Sequence, residues 1–98
     1  MEKNIIFNDD YSFFREIIFS NGDVSYEARP ASRKFGIEIG FSAREGGIYD
    51  TYIDIGGLPS AYSLEEAARL IGDLNAAIFT KARVDAWLRK NGRWYKEK

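Results

Sequence analysis

The clearest pattern in the chain is a strict alternation of apolar and polar residues over residues 35–44. A period of two predicts a β-strand with one face in a core. A second strand is predicted over residues 49–55, after the loop residues 45–47. A three-residue loop with a glycine bulge sets Ile39 opposite Ile53 and keeps the apolar side chains on one face, so we predict that loop.

An earlier hairpin is predicted from residues 13–20 and 23–29. The Asn-Gly pair at positions 21–22 is typical of a two-residue type I′ turn. Such a turn sets Ile17 opposite Tyr26 and keeps apolar residues together on one face.

Two details of this first part of the chain complete the picture. Residues 4–7 predict a further short strand, followed by turn residues. Residues 10–19 also fit a helix, because apolar residues there recur four apart. The Asn-Gly turn favours the hairpin over that helix.

The second part of the chain changes to a helical period. Ser63 and Glu66 form a capping box, and Gly92 provides a stop signal, so we predict a helix over residues 64–91. After Thr80 the apolar stripe changes phase. That change predicts either a kink near residues 79–81 or a second apolar face directed at something else.

These elements predict an α+β fold: a three- to five-stranded antiparallel sheet, built from two hairpins, with one long C-terminal helix packed on one face. We expect a single domain over residues 1–98, with residues 1–57 mainly β, a helix over 63–91 and a basic aromatic tail over 92–98. The first half of the helix is expected to be core and the second half to bind a partner. The expected core residues are Ile37, Ile39, Phe41, Ile53, Ile55, Leu70, Ile71, Leu74 and Ile78.

Composition narrows the class of protein. Aromatic residues make up 15% of the 98, which argues against disorder because they supply the burial that offsets chain entropy. The chain has no Cys and no His, and so lacks the commonest metal ligand and the commonest general base near neutral pH. No apolar run is long enough for a signal peptide or a membrane span. We expect a cytoplasmic protein that is not an enzyme and has no cofactor, metal or membrane partner.

The net charge of −1 hides an asymmetry. Residues 1–80 contain seven Lys/Arg and thirteen Asp/Glu, whereas residues 81–98 contain seven and two. An acidic body therefore has a basic C-terminal end.

The predicted strand pairing places an acidic surface on the side of the sheet away from the core. It sets Glu38 opposite Asp54 and Tyr52 opposite Gly40, with Asp50 on the same face. Such a surface could dock a basic protein, because Tyr is enriched at interfaces. One alternative is that this surface is only the solvent-facing side of a sheet with one buried face. An enzymatic alternative is a divalent-metal site at the carboxylates of Glu38 and Asp54.

Basic residues and aromatic residues alternate at the C-terminal end. Single-stranded nucleic acid or a membrane surface would bind such a pattern. A further alternative is self-association, in which the basic end of one chain meets the acidic sheet of another. There are two structural alternatives. The basic residues could complement the negative C-terminal end of the helix, or Trp87 and Trp94 could pack on the domain. The candidate partner-binding residues there are Arg83, Trp87, Lys90, Arg93, Trp94 and Tyr95.

The sequence thus favours a non-catalytic protein-binding module. By analogy of size and charge, we expect a small inhibitor that a phage or another mobile element carries against a host defence protein, as an anti-CRISPR does. The alternative is a small nucleic-acid-binding module that uses the basic aromatic C-terminus. A homodimer through the C-terminal half of the helix is a further expectation.

Overall fold

Five antiparallel strands form one sheet and follow one another across it in chain order. The computed structural model describes residues 1–31, 35–57 and 61–96. The α+β class and the single helix on one face are confirmed. The elements are β1 (Glu2–Asn8), β2 (Ser12–Ile18), β3 (Val24–Pro30), β4 (Glu38–Arg44), β5 (Gly47–Asp54) and α1 (Leu64–Lys90).

The β2–β3 hairpin is confirmed, but its predicted pairing is wrong by one residue. Ile17 lies opposite Ser25, not Tyr26. A type I′ turn needs positive φ at both central residues, and here only Gly22 has it, at 90°. The backbone N–H of Phe19 donates to the carbonyl of Asp23 at 2.8 Å, so the loop contains three residues. Residues 12–18 are strand, which excludes the helical alternative there.

The β4–β5 pairing is confirmed from Glu38 to Ser42, with Ile39 opposite Ile53 and Phe41 opposite Thr51. The predicted loop is wrong in detail, because Arg44 pairs with Gly47 and leaves a two-residue turn. The extra residue lies in β5 instead, where the pairing shifts and Tyr49 forms a bulge. A bulge in the strand aligns the apolar faces as well as a longer loop does.

One sheet face and the second half of α1 form the core. The buried apolar residues are Phe14, Ala28, Ile37, Ile39, Ile48, Ala77, Val84 and Leu88. Four expected core residues, Phe41, Ile53, Leu70 and Leu74, are half-buried against them.

Three expected core residues are exposed: Ile55 by 39%, Ile71 by 61% and Ile78 by 57%. No residue of α1 before Ala77 is fully buried. The reason is length. A helix of 27 residues spans about 40 Å, whereas the strands along which it lies have only seven or eight residues and span about 25 Å.

α1 is one continuous helix with the predicted capping box at its start. The hydroxyl of Ser63 accepts from the backbone N–H of Glu66, and the carboxylate of Glu66 accepts from the backbone N–H of Ser63. Asn91 caps the C-terminal end, and Gly92 follows with a φ of 69°. The helix is unbroken through residues 79–81. Exposed apolar residues such as Ile71 and buried ones such as Val84 lie on two different faces of it, which agrees with the second of the two alternatives.

Candidate docking surfaces

The C-terminal tail folds back onto the edge of the sheet. The N–H of Ile48 donates to the carbonyl of Arg93 at 3.0 Å, and the N–H of Tyr95 donates to the carbonyl of Ile48 at 2.6 Å. A Cβ on Gly47 would lie 2.6 Å from the carbonyl oxygen of Arg93, so only glycine allows this close approach. The tail thus adds a short parallel pairing beside β5, between Ile48 and Trp94.

A buried charge fixes the tail to the sheet. Glu16 is 3% exposed and accepts from Nε of Arg93 at 2.8 Å and from the hydroxyl of Tyr26 at 2.8 Å. Desolvation alone would raise the pKa of Glu16, but the hydrogen bonds from Arg93 and Tyr26 outweigh it and hold that pKa below its usual value. Burial, together with the Glu16 carboxylate, raises the pKa of Tyr26.

Two other predicted site residues in the second half of α1 also contact the domain itself. The ring of Trp87 packs edge-on against Phe14, with centroids 5.3 Å apart. Arg83 makes a bidentate ion pair with Asp9, at 2.8 and 3.2 Å, and lies over the ring of Phe7. The hydrogen bonds from Arg83 and from the turn backbone hold the pKa of Asp9 well below its usual value.

Two of the remaining predicted residues, Trp94 and Tyr95, are partly covered by arginine side chains. Arg89 lies over the ring of Trp94, and Arg44 lies over that of Tyr95. Lys90 is exposed. The basic aromatic pattern is therefore largely engaged in holding the tail and α1 on the sheet, which matches the structural alternative. Its role in binding a partner stays a prediction.

The predicted acidic surface is assembled as expected on the side of the sheet that α1 leaves open. Glu38 lies opposite Asp54 on the neighbouring strand, and Asp50 and Tyr52 are exposed on the same face. The ring of Tyr52 lies directly over Gly40, where a Cβ would clash with it. The strand pairing could be predicted because apolar residues matched on the other face. Whether this surface binds anything stays a prediction.

A second exposed surface, the outer face of α1, was missed by the sequence argument. No residue of this face is charged, and its three large apolar side chains, Leu64, Ile71 and Ile78, are 89%, 61% and 57% exposed. The face was missed because its residues fit the expected core stripe, and periodicity does not show where the sheet ends. The outer face consists of Leu64, Ala68, Ile71, Asn75, Ile78 and Ala82.

Next to the outer face lies a groove between α1 and the β1–β2 turn. The rings of Tyr11 and Phe79 meet edge-on there, with centroids 5.9 Å apart, although both side chains are at least half exposed. The groove has a volume of about 530 Å³. Exposed apolar surface thus continues from Ile78 through Phe79 to Tyr11.

No family model matches this sequence, and neither a characterised protein nor a solved structure matches the chain. Within residues 1–31, 35–57 and 61–96, no helix combines the length and apolar character needed to cross a membrane. The same residues contain no group of three or more acidic side chains that could hold a metal ion.

Proposed function

We propose that this chain is a non-catalytic protein-binding module and that the outer face of α1 is its docking surface. The observation that supports this proposal is the exposure of Leu64, Ile71 and Ile78 on one uncharged helix face. Single exposed apolar residues are ordinary on a protein surface, but a contiguous patch marks an interaction site.

The energy available at this face fits a docking role. Fully burying one Leu or Ile side chain contributes roughly 1.5–3 kcal/mol, and this face offers three that are more than half exposed. The surface is a straight helical ridge with small residues such as Ala68 between the large ones. The complementary surface is an amphipathic helix that contributes an apolar face of its own.

A narrower form of the proposal is an inhibitor that a phage or another mobile element carries against a host defence protein. A small domain that blocks a larger protein needs a rigid surface and no catalytic group. The acidic surface around Tyr52 is the second surface that such an inhibitor would use, against a basic partner. Its support is the placement of Asp50, Tyr52 and Asp54 on one exposed strand face.

The alternative of a nucleic-acid-binding module has less support. Stacking on bases requires free aromatic faces. Trp87 packs against Phe14 in the core, and Trp94 lies under Arg89. Strongly salt-dependent retention of single-stranded DNA or RNA, lost on removing residues 91–98, would support this alternative instead.

The proposal is tested with matched baits. The tagged chain is recovered from cells that also express a differently tagged copy, and bound proteins are quantified by mass spectrometry. We expect a specific bound protein, either the second copy or another chain, to be lost with Ile71→Glu combined with Ile78→Glu. The control is Ile5→Glu, because Ile5 is 56% exposed but lies on β1.

Two results would contradict the proposal. One is a wild-type bait that retains nothing beyond chaperones. The other is a set of bound proteins that is identical for all three baits. Circular dichroism and thermal melting of each variant show that the fold is intact before the comparison is made.

A further inference from the structure

We infer that the partner at the outer face of α1 is a second copy of this chain, whose α1 runs antiparallel to the first with the two-fold axis at Ile71. This inference rests on the proposed function, because it names the occupant of the same surface. Four features of the structure support it: spacing, direction, helix dipoles and area.

The large residues of the outer face recur every seven residues. Leu64, Ile71 and Ile78 thus follow the period at which one helix can pack along another. With Ile71 on the axis, its side chain meets the partner's Ile71, and Leu64 meets the partner's Ile78. All three exposed large residues then find an apolar contact in one arrangement.

The direction follows from where the sheet lies. Each sheet covers the second half of its own α1, around Val84 and Leu88, and leaves the first half uncovered on its outer side. In an antiparallel pair centred on Ile71, the two sheets lie at opposite ends of the helix pair. A parallel pair would bring both sheets to the same end, side by side.

The helix dipoles favour the same direction. An antiparallel pair aligns the two dipoles favourably, whereas a parallel pair would set like dipole ends beside each other. The arrangement also keeps charge out of the contact, because no residue of the outer face is charged.

The area of the outer face limits how tightly two copies can bind. The outer face runs for 19 residues, or about 27 Å of helix, and contributes on the order of 500 Å² per copy. The pair therefore buries about 1,000 Å², at the low end of specific interfaces. An interface of this size is typical of weak, transient association, so we expect a dimer that dissociates on dilution.

The first experiment is sedimentation of the full chain over a series from about 1 to 500 μM. The expected mass rises from 11.2 kDa to twice that value. Ile71→Glu should remain at 11.2 kDa throughout, and Ile5→Glu should behave as the wild type. A monomer at every concentration overturns the inference, and so does a wild-type assembly larger than two chains.

The second experiment uses the absence of Cys in the chain, because a single introduced Cys can then cross-link only to its counterpart. Under mild oxidation, Ile71→Cys should form disulfide-linked dimers, whereas Leu64→Cys alone and Ile78→Cys alone should not. A mixture of Leu64→Cys and Ile78→Cys should form the mixed dimer. Cross-linking of all three single variants would show a parallel pair and overturn the inference.

The failure of this inference can be told apart from that of the proposed function. If the chain is monomeric but a different protein is captured through Ile71 and Ile78, the inference fails and the docking surface stands. If neither a second copy nor another protein depends on these residues, both fail.

Discussion

The two halves of α1 have similar apolar content but differ in how far their apolar side chains are buried. In the second half, Val84 and Leu88 are completely buried against the sheet. In the first half, Leu64 and Ile71 are mostly exposed although they recur at the same helical spacing. The comparison shows that amphipathic periodicity specifies a face that can be buried, whereas the reach of the sheet decides which part of that face is buried.

The halves also differ in what stabilises them. The first half has local interactions: the capping box at Ser63 and an ion pair between Glu65 and Arg69, at 2.7 Å, one turn apart. The second half has contacts with residues far away in the sequence, such as the hydrogen bond between Thr80 and Ser12 at 2.6 Å. Local interactions stabilise a helix by a few tenths to about 1 kcal/mol each, so tertiary packing dominates.

The largest expected effect separates the two halves directly. Leu88→Ala removes a completely buried side chain and should lower the free energy of unfolding by about 2–5 kcal/mol. The matched change Leu64→Ala, at 89% exposure, should change it by less than about 0.5 kcal/mol in the monomer. Urea unfolding at low micromolar concentration measures both. An equal loss of unfolding free energy in the two variants would contradict the proposed difference between the halves.

The next effect concerns the end of the second half, where the tail joins the sheet. Arg93→Met leaves the carboxylate of Glu16 buried without its cationic partner. Loss of one partner of a fully buried pair costs roughly 3–5 kcal/mol, and we expect about 2–3 kcal/mol here because the Arg93 side chain is 44% exposed. Urea unfolding at pH 7 checks this value. The control is Arg89→Met, which removes a stacked surface charge and should cost less than 1 kcal/mol.

The same ion pair makes stability dependent on pH. The pKa of Glu16 is lower in the folded chain than in the unfolded chain, so its contribution is complete above the unfolded pKa. That contribution is lost as pH falls through the folded pKa. We expect thermal stability to fall below about pH 4.5 and to fall less steeply in Glu16→Gln. An unchanged acid profile in that variant would show that Glu16 is not held ionised.

A smaller effect is expected at the start of the first half. Ser63→Ala removes the hydroxyl that caps α1 and should cost about 1 kcal/mol. Because the first half has few tertiary contacts, we expect part of this cost to appear as fraying of the first turns. Amide exchange of residues 64–70 should accelerate while that of residues 80–88 stays constant. Acceleration along the whole helix would mean that the halves unfold together.

Much of the fold could be predicted from the sequence. Apolar alternation predicts the β4–β5 pairing from Glu38 to Ser42, and with it the position of Tyr52 opposite Gly40. The β2–β3 pairing was wrong by one residue because an Asn-Gly pair fits two loop lengths. Here the amide oxygen of Asn21 accepts from the N–H of Asp23 at 3.0 Å, which supports the longer loop.

The surfaces were harder to predict for two physical reasons. A helical period does not record where the opposing sheet ends, so Ile71 and Ile78 were expected in the core. The ion pair between Glu16 and Arg93 joins residues 77 positions apart. Neither the residue types nor the local sequence pattern indicates such a contact. The change of stripe phase after Thr80 indicated two apolar faces, but the expected roles of the two halves were wrong: Val84 and Leu88 are buried, whereas Ile71 and Ile78 are exposed.

The most direct test of the difference between the two halves is hydrogen exchange of the α1 amides at two protein concentrations, about 2 μM and about 500 μM. Protection of residues 80–90 should be the same at both concentrations, because the chain's own sheet covers them. Protection of residues 64–78 should be weak at the low concentration and rise at the high one, where the outer face is covered. Equal protection of residues 64–78 at both concentrations, or a concentration effect confined to residues 80–90, would contradict the account.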